Sequence, residues 1–344
     1  MRVAFNRIVL IFSLLVYSSV LLPPSYVWWT GFLSLGIPFV IGANFILLIY
    51  YITINKRVLL YPLVSLVVSF PFIRATVAIN PYASTSDSEF SVLSYNIRFF
   101  KDAKAYNYGN FSPEMMHWVL NDSSEIKCFQ EFYSHPAFPN LDMLNRLKAN
   151  GYQNHFIDLT PEIEPIHGLS IFSKFPIIKK GALYFQDHTF NGAMFADIVI
   201  NKDTIRVYNL HLRSMGLDSK EIMSPEIKEK YKDVAWSLRS GFVARSRQVQ
   251  QVAEHIESCP YPVLVCGDLN DMPYSFTYFK LRRKMANAFE ASGNGLGFTY
   301  NGKLQFLRID NQFYDSFFES LYFEVDRNAE NSDHFPIKSS YKKK

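Results

Sequence analysis

This 344-residue sequence predicts an α/β (α+β) domain over residues 89–341, preceded by about three transmembrane helices in residues 1–79 and a short linker over 80–88. Three observations carry the prediction. No charged residue lies between Arg7 and Lys56. Beyond Glu89, short strand-like apolar runs alternate with stretches of helical spacing. Most of those runs end on a cluster of acids, amides or histidines.

The N-terminal stretch divides into three apolar runs. Pro23-Pro24-Ser25 separates Ile8–Leu22 from Trp29–Ile54, and Lys56-Arg57 separates the second from Val58–Ile73. The middle run is long enough to cross a bilayer core of about 30 Å as a helix, and the outer two are near the lower limit. A core helix of a soluble protein would carry a polar face, and these runs carry none. A cleaved signal peptide does not fit the first run, because no small-x-small site follows it and more apolar sequence does. Two helices plus a buried or re-entrant one is the alternative to three. Arg2 and Arg7 before the first run, and Lys56-Arg57 after the second, belong on the cytoplasmic side. Val27, Trp28 and Trp29 then fall at the opposite interface, and an integral membrane protein results whose C-terminal domain lies outside the cytoplasm. Arg74 sits on the wrong side for this rule.

Charge weighs against one class of partner, nucleic acid, without settling the partner. The formal charge of +4 comes from 35 Lys and Arg against 31 Asp and Glu, and five of the bases lie within residues 1–74, where there is no acid. The remainder is close to neutral, so it offers no broad basic surface for phosphate backbones. Three cysteines, Cys128, Cys259 and Cys266, are too few and too scattered for a disulfide framework. Cys128 and Cys266 lie in apolar runs and read as small core residues.

In the C-terminal domain, Ser91–Ile97, Ile126–Gln130, Leu169–Ser173, Ala193–Ile200, Ile205–Leu210 and Val263–Cys266 read as strands. Pro113–Leu120, Leu141–Ala149 and Ser246–Ile256 read as helices. Asn80–Ser88 is the polar linker, so the part beyond it is expected to fold as a soluble unit. Arg213–Arg239 is charged, helical in composition and long for a connection, which suggests a lid or a partner surface.

The polar clusters carry the chemistry. "LSYNIRFF" ends its run with Asn96 and "IKCFQEF" ends with Glu131. "VYNLHLRS" puts Asn209 and His211 on one strand face, and "LVCGDLN" does the same for Asp268 and Asn270. "FLRIDNQFY" carries Asp310, and "NSDHFPI" carries Asp333 and His334. Asp271, with Met272 and Pro273, reads as a turn. Six such endings in one domain suggest a site where strand ends converge.

The ordered set "SYNI", "QE", "GLSIFSKFPI", "NLHL", "GDLN", "RID" and "SDHFPI" resembles the endonuclease/exonuclease/phosphatase family, the DNase I-like fold, over residues 90–340. The resemblance implies a four-layer αββα sandwich and metal-dependent hydrolysis of phosphoesters. It implies Mg²⁺, with Mn²⁺ as a substitute, held by Glu131 with Asn96 and, directly or through water, Asp333. Asp268 would orient or deprotonate the attacking water and Asn270 would donate to a phosphoryl oxygen. His334 would be the essential histidine, partnered by Asp310, and His211 a second histidine on the phosphate or leaving group. His167 lies near a loop that touches phosphate in relatives. Such chemistry needs these groups, because a cation must offset the charge of the phosphoryl oxygens and Mg²⁺ takes a few oxygen ligands.

The substrate stays open among nucleic acid and phospholipid headgroups, acted on by nuclease-, sphingomyelinase- or phosphoinositide phosphatase-like enzymes. The near-neutral domain argues against a nonspecific nuclease, and an anchor favours a lipid by proximity. A membrane-bound binding protein on an inactive scaffold is the alternative of a different class. A transporter does not fit apolar runs without intramembrane charge.

Overall fold

The computed structural model describes residues 2–54, 56–81, 85–103, 110–157, 165–185, 191–215 and 227–344. The helical N-terminal part comprises α1 (Arg2–Ser18), α2 (Trp29–Leu35), α3 (Ile37–Ile54), α4 (Leu60–Val68) and α5 (Phe70–Thr76). The chain runs along this bundle three times. Asn6 Nδ2 donates to the Tyr51 hydroxyl (2.8 Å) at one end, and Asn44 Nδ2 donates to Ser13 Oγ (2.9 Å) further along. The Tyr17 and Ser65 hydroxyls meet at 3.2 Å. Val20, Ile37 and Phe72 pack together at the other end.

Polar side chains thus point into the bundle, while Ile8, Ile11, Phe39, Ile46 and Val67 are exposed. Among the described residues only two helical stretches, Arg2–Leu21 and Ile37–Ile54, are long and apolar enough to cross a bilayer, rather than the three expected. The second run splits at Gly36, with Pro38 in the first turn of α3. The third breaks at Ser69, because Pro71 has no N–H to continue the ladder.

The following domain holds two six-stranded sheets. The first has β1 (Phe90–Asn96), β2 (Ile126–Ser134), β3 (Asn154–Ile157), β4 (Ile166–Ser173), β11 (Phe318–Val325) and β12 (Ile337–Lys343), in the order β11-β12-β1-β2-β4-β3. The second has β5 (Ile177–Tyr184), β6 (Gly192–Ile200), β7 (Asp203–His211), β8 (Val263–Asp268), β9 (Ala286–Asn287) and β10 (Asp310–Tyr314), in the order β5-β6-β7-β8-β10-β9. Each sheet has one parallel pair at its centre, β1 with β2 and β7 with β8.

Parallel neighbours need a crossover, and helices supply both. They are α6 (Pro113–Asn121), capped by Ser112 Oγ accepting from the Met115 amide, and the 31-residue α8 (Ile227–Glu257). The remaining helices are α7 (Met143–Ala149), α9 (Phe276–Arg282) and α10 (Ala288–Ser292). One apolar cluster lies between the sheets and contains Cys128 and Cys266. A second joins the first sheet to α6 and α7, and a third joins the second sheet to α8 and α9. The expected sandwich of two sheets between helices is therefore the observed fold.

The expected strands and helices all appear, all but one within a few residues at their ends. Ser246–Ile256 is the C-terminal part of α8, whose earlier turns cover the second half of the charged segment Arg213–Arg239. Residues 216–226 of that segment lie outside the described residues, as do 82–84 of the linker.

The two parts are also joined more closely than a linker implies. Ala75 and Ala78 are buried in clusters of the second part, and Ala78 pairs with Gly295. Arg74 Nη2 donates to the Glu290 carbonyl (3.1 Å), which accounts for a basic residue at this end of the bundle. The buried Arg308 guanidinium donates to the Ala75 carbonyl and to Asn311 Oδ1. Phe32 packs edge-on against Phe242, and Phe72 against Phe279.

Candidate active site

The C-terminal ends of both parallel pairs point to one cleft of about 760 Å³. Asn96 ends β1, His211 ends β7 and Asp268 ends β8. In the second sheet Asp268 stands level with His211 on one side and Asp310 on the other. Gly267 makes this register possible. Its φ is +134°, and a Cβ there would lie 2.0 Å from the Leu210 carbonyl oxygen, so only glycine fits.

Glu131 reaches the cleft by a different device. The β2–β4 ladder slips between Phe129 and Phe132, and Glu131 sits in the left-handed region at φ +54°. Phe129 and Phe132 both pack toward α6 and α7. Strict alternation would have sent Glu131 to that apolar side with Phe129, so the bulge re-aims it. It is one of several residues near the cleft with strained backbone; Arg98 (+45°) and Asn270 (+51°) are others.

Asp268 is the hub of the site. Its Oδ1 accepts the Asn270 amide (2.8 Å), and its Oδ2 accepts from Asn96 Nδ2 and Asn270 Nδ2, both at 3.2 Å. His334 Nε2 and His211 Nε2 stand 3.7 and 3.8 Å from the same oxygen. The Asn270 carboxamide also donates to the Leu212 carbonyl (3.0 Å), so its hydrogens are engaged within the loop. Asn96 Nδ2 lies 3.4 Å from Glu131 Oε1, and His211 Nε2 lies 3.8 Å from that oxygen.

His334 and Asp310 form the tightest pair, with Nδ1 to Oδ2 at 2.9 Å. Burial opposes the imidazolium, but the Asp310 and Asp268 carboxylates outweigh it and hold His334 well above its ordinary value. Burial also raises Asp268, with His334 opposing and Asp310 adding to the shift.

Eight of the nine residues given a site role from the sequence thus gather here. Asp310 supports His334 from behind, and Asp333 lines the cleft with its carboxylate 3.7 Å from Arg98 Nε. His167 stands apart: its Nδ1 meets the Pro165 carbonyl and its ring lies 6.5 Å from that of Phe99. Asp271 is structural, as expected of the turn, and accepts from Thr277 Oγ1 (2.7 Å) with Arg245 Nε 3.1 Å away. Sequence reasoning missed Arg98 and Tyr300, whose ring stands edge-on to His334 at 5.6 Å. Arg98 follows "SYNI" directly and could have been noticed; nothing local marked Tyr300.

The donor set suits a hard divalent cation. Glu131 and Asp268 approach one another across the Asn96 carboxamide, and Glu131 keeps access to solvent for the waters such an ion retains. Among the described residues, Asp268, Asp310 and His334 also bring ligating atoms within 4.8 Å of each other. That trio is already closed by the His334–Asp310 hydrogen bond, although Asp310 Oδ1 is buried without a partner.

Residues 93–334 match the model of the endonuclease/exonuclease/phosphatase family, and residues 1–76 match a model described as a domain of unknown function. Among solved structures, the chain is similar to an endonuclease/exonuclease/phosphatase from Beutenbergia cavernae, with a TM-score of 0.53 at 14% identity over 74% of this chain and 71% of that one. It is similar to SmcL, with a TM-score of 0.53 at 14% identity over 74% and 99% of the two chains. A mannosyl-6-phosphatase from Bacteroides thetaiotaomicron gives 0.51 at 17% identity over 74% and 99%. Likeness at these identities is likeness of fold. No curated protein matches the chain by sequence.

Proposed function

Because the chain belongs to the endonuclease/exonuclease/phosphatase family, whose members are metal-dependent phosphoesterases, we propose that it is a membrane-anchored, Mg²⁺-dependent phosphodiesterase with its active site outside the cytoplasm. One observation carries the catalytic part. Strand ends from two sheets, the bulge in β2 and the loop before β12 bring Glu131, Asn96, Asp268, His211 and the His334–Asp310 pair together at one cleft.

When bound, the cation offsets charge on the phosphoryl oxygens and leaving group. Glu131 and Asn96 would hold it, with Asp333 as a further ligand. Asp268, raised by burial and oriented by Asn270, suits the base that takes a proton from the attacking water. Asp310 fixes His334 with Nε2 toward Asp268 and favours its protonated form, ready to meet a phosphoryl oxygen. His211 stands between Glu131 and Asp268, within reach of the same phosphate.

The anchor reading rests on the bundle, whose polar groups face inward and whose apolar groups face out. Its three antiparallel passes place Arg2, Arg7 and Arg57 at the end away from the second part of the chain. By the positive-inside rule, the cleft is then extracytoplasmic. Residues 1–79 form the anchor, 80–88 the connection and 89–341 the catalytic domain.

The test is hydrolysis of DNA, RNA, sphingomyelin, phosphoinositides and a chromogenic diester by the full chain. Turnover should vanish in chelator and return with Mg²⁺ or Mn²⁺. Glu131→Gln should raise the metal concentration needed. Turnover that persists in chelator would overturn the metal assignment, and binding without turnover would mark an inactive scaffold.

A further inference from the structure

The mechanism leaves part of the cleft lining unused. Besides the acids and histidines, the cleft is lined by Leu35 of α2, Leu238 of α8, Met215 beyond β7 and Leu304 on the loop leading to β10, with Lys303 and Gln305 beside Leu304. Leu35 belongs to the helical bundle, so the helical part and the sheet domain build this cleft together. Its position in depth follows from the chain. Leu35 precedes Ile37, the first residue of α3, by two positions, and α3 is 18 residues long. At 1.5 Å per residue α3 spans about 27 Å, close to the hydrocarbon thickness of a bilayer. Ile37 therefore stands at the hydrocarbon edge and Leu35 within the headgroup layer.

Two further features agree with that depth. Trp28 and Trp29 are each nearly half exposed just before and at the start of α2, where amphipathic rings favour the interface. Arg239 stacks over Trp28 at 4.8 Å, which ties the N-terminal half of α8 to the same level. Phe306, on the loop that carries Leu304, is 57% exposed.

We propose that the substrate is a membrane-resident amphiphile. Its phosphoester lies against Asp268 and His334, and the first part of its apolar chain lies along Leu35, Leu238 and Leu304. This rests on the phosphoesterase and anchor readings above, and adds that the bundle itself selects the substrate. A polynucleotide would have to bring its charged backbone past Leu35, Leu238 and Leu304 at the membrane surface.

The experiment uses the full chain in mixed micelles with Mg²⁺ and two chromogenic diesters, methyl and hexadecyl p-nitrophenyl phosphate. The reacting group is the same and only the tail differs. The hexadecyl ester should show the higher kcat/KM by about tenfold or more. Leu35→Asp, and separately Leu304→Asp on the exposed loop, should collapse that ratio toward one in the same micelles. Thermal unfolding of each variant checks its fold, and the loop position keeps the test available if Leu35→Asp does not fold. Equal kcat/KM for the two tails would overturn the proposal. So would a tail preference that both folded variants retain, or an oligonucleotide cleaved faster than either ester. Absence of turnover on all three substrates would instead overturn the phosphoesterase reading on which the proposal stands.

Discussion

His334 joins two carboxylates in a setting where none of the three has free access to water. Its Nδ1 is held by Asp310 at 2.9 Å while Nε2 faces Asp268 at 3.7 Å. His334→Ala is expected to lower kcat by roughly a hundredfold, as for other lost acid–base or electrostatic groups. Asp310→Asn should give part of that loss, and the double variant should cost far less than the two losses combined, because the pair acts as a unit. Multiplying losses in steady-state kinetics would separate the two roles. The same pair predicts a pH dependence. A histidine whose folded value is raised adds stability that is complete below its unfolded value of about 6.5 and is lost as pH rises through the folded value. Denaturant unfolding in chelator should therefore show stability falling above neutral pH, and Asp310→Asn should flatten that slope. Sequence placed Asn209 and His211 on one face, which is correct. It could not show that Asn209 would be spent between the sheets, accepting from Gln130 Nε2 at 2.6 Å and donating to the Phe129 and Ser170 carbonyls.

The elements that bear the site depart from ideal strands where they meet the cleft. Gly267 lets β8 press against Leu210, and a side chain there would collide with backbone that cannot yield. Gly267→Ala should destabilise the fold by more than about 1 kcal/mol, and calorimetry would read this as a lowered Tm. An unchanged Tm would mean that β7 and β8 can part without cost. The β2 bulge was invisible in "IKCFQEF", because alternation assigns Glu131 to the wrong side and only the pairing with β4 reveals the slip. Strands β3, β5 and β9 to β12 also escaped notice. Some are very short, and others, such as β12 with Lys338 and Lys342 on one face and Lys343 on the other, mix charge into the strand.

Across the whole molecule, composition marked a boundary near Asn80 that the contacts do not respect. Residues 85–344 would lack Ala75, Ala78 and Phe72, and would leave the buried Arg308 without the Ala75 carbonyl. That fragment is expected to unfold at lower temperature than the full chain and to aggregate unless detergent covers Phe279 and its neighbours. A fragment that matches the full chain in Tm would show the joint to be passive. Arg308→Ala in the full chain should cost on the order of 3 kcal/mol, because two buried oxygen acceptors lose a charged donor and the packing over Tyr278 and Phe289 is lost. A reporter joined after Lys344 should work only if it functions outside the cytoplasm. Activity of a cytoplasm-only reporter there would reverse the orientation.

Local pattern by itself was enough for the alternation of strand and helix and for eight of the residues that meet at the cleft. Those signals are short-range: apolar runs set by membrane or core, a period of two along strands, and polar groups at strand ends. Only the tertiary structure decided that Glu131 turns inward, that His334 faces Asp268 while Asp310 stands behind it, and that Leu35 of the bundle lines the cleft. Each of these joins residues far apart in sequence through sheet register or the docking of two layers. Their geometry depends on how neighbouring strands and helices pack, which no single segment carries within itself.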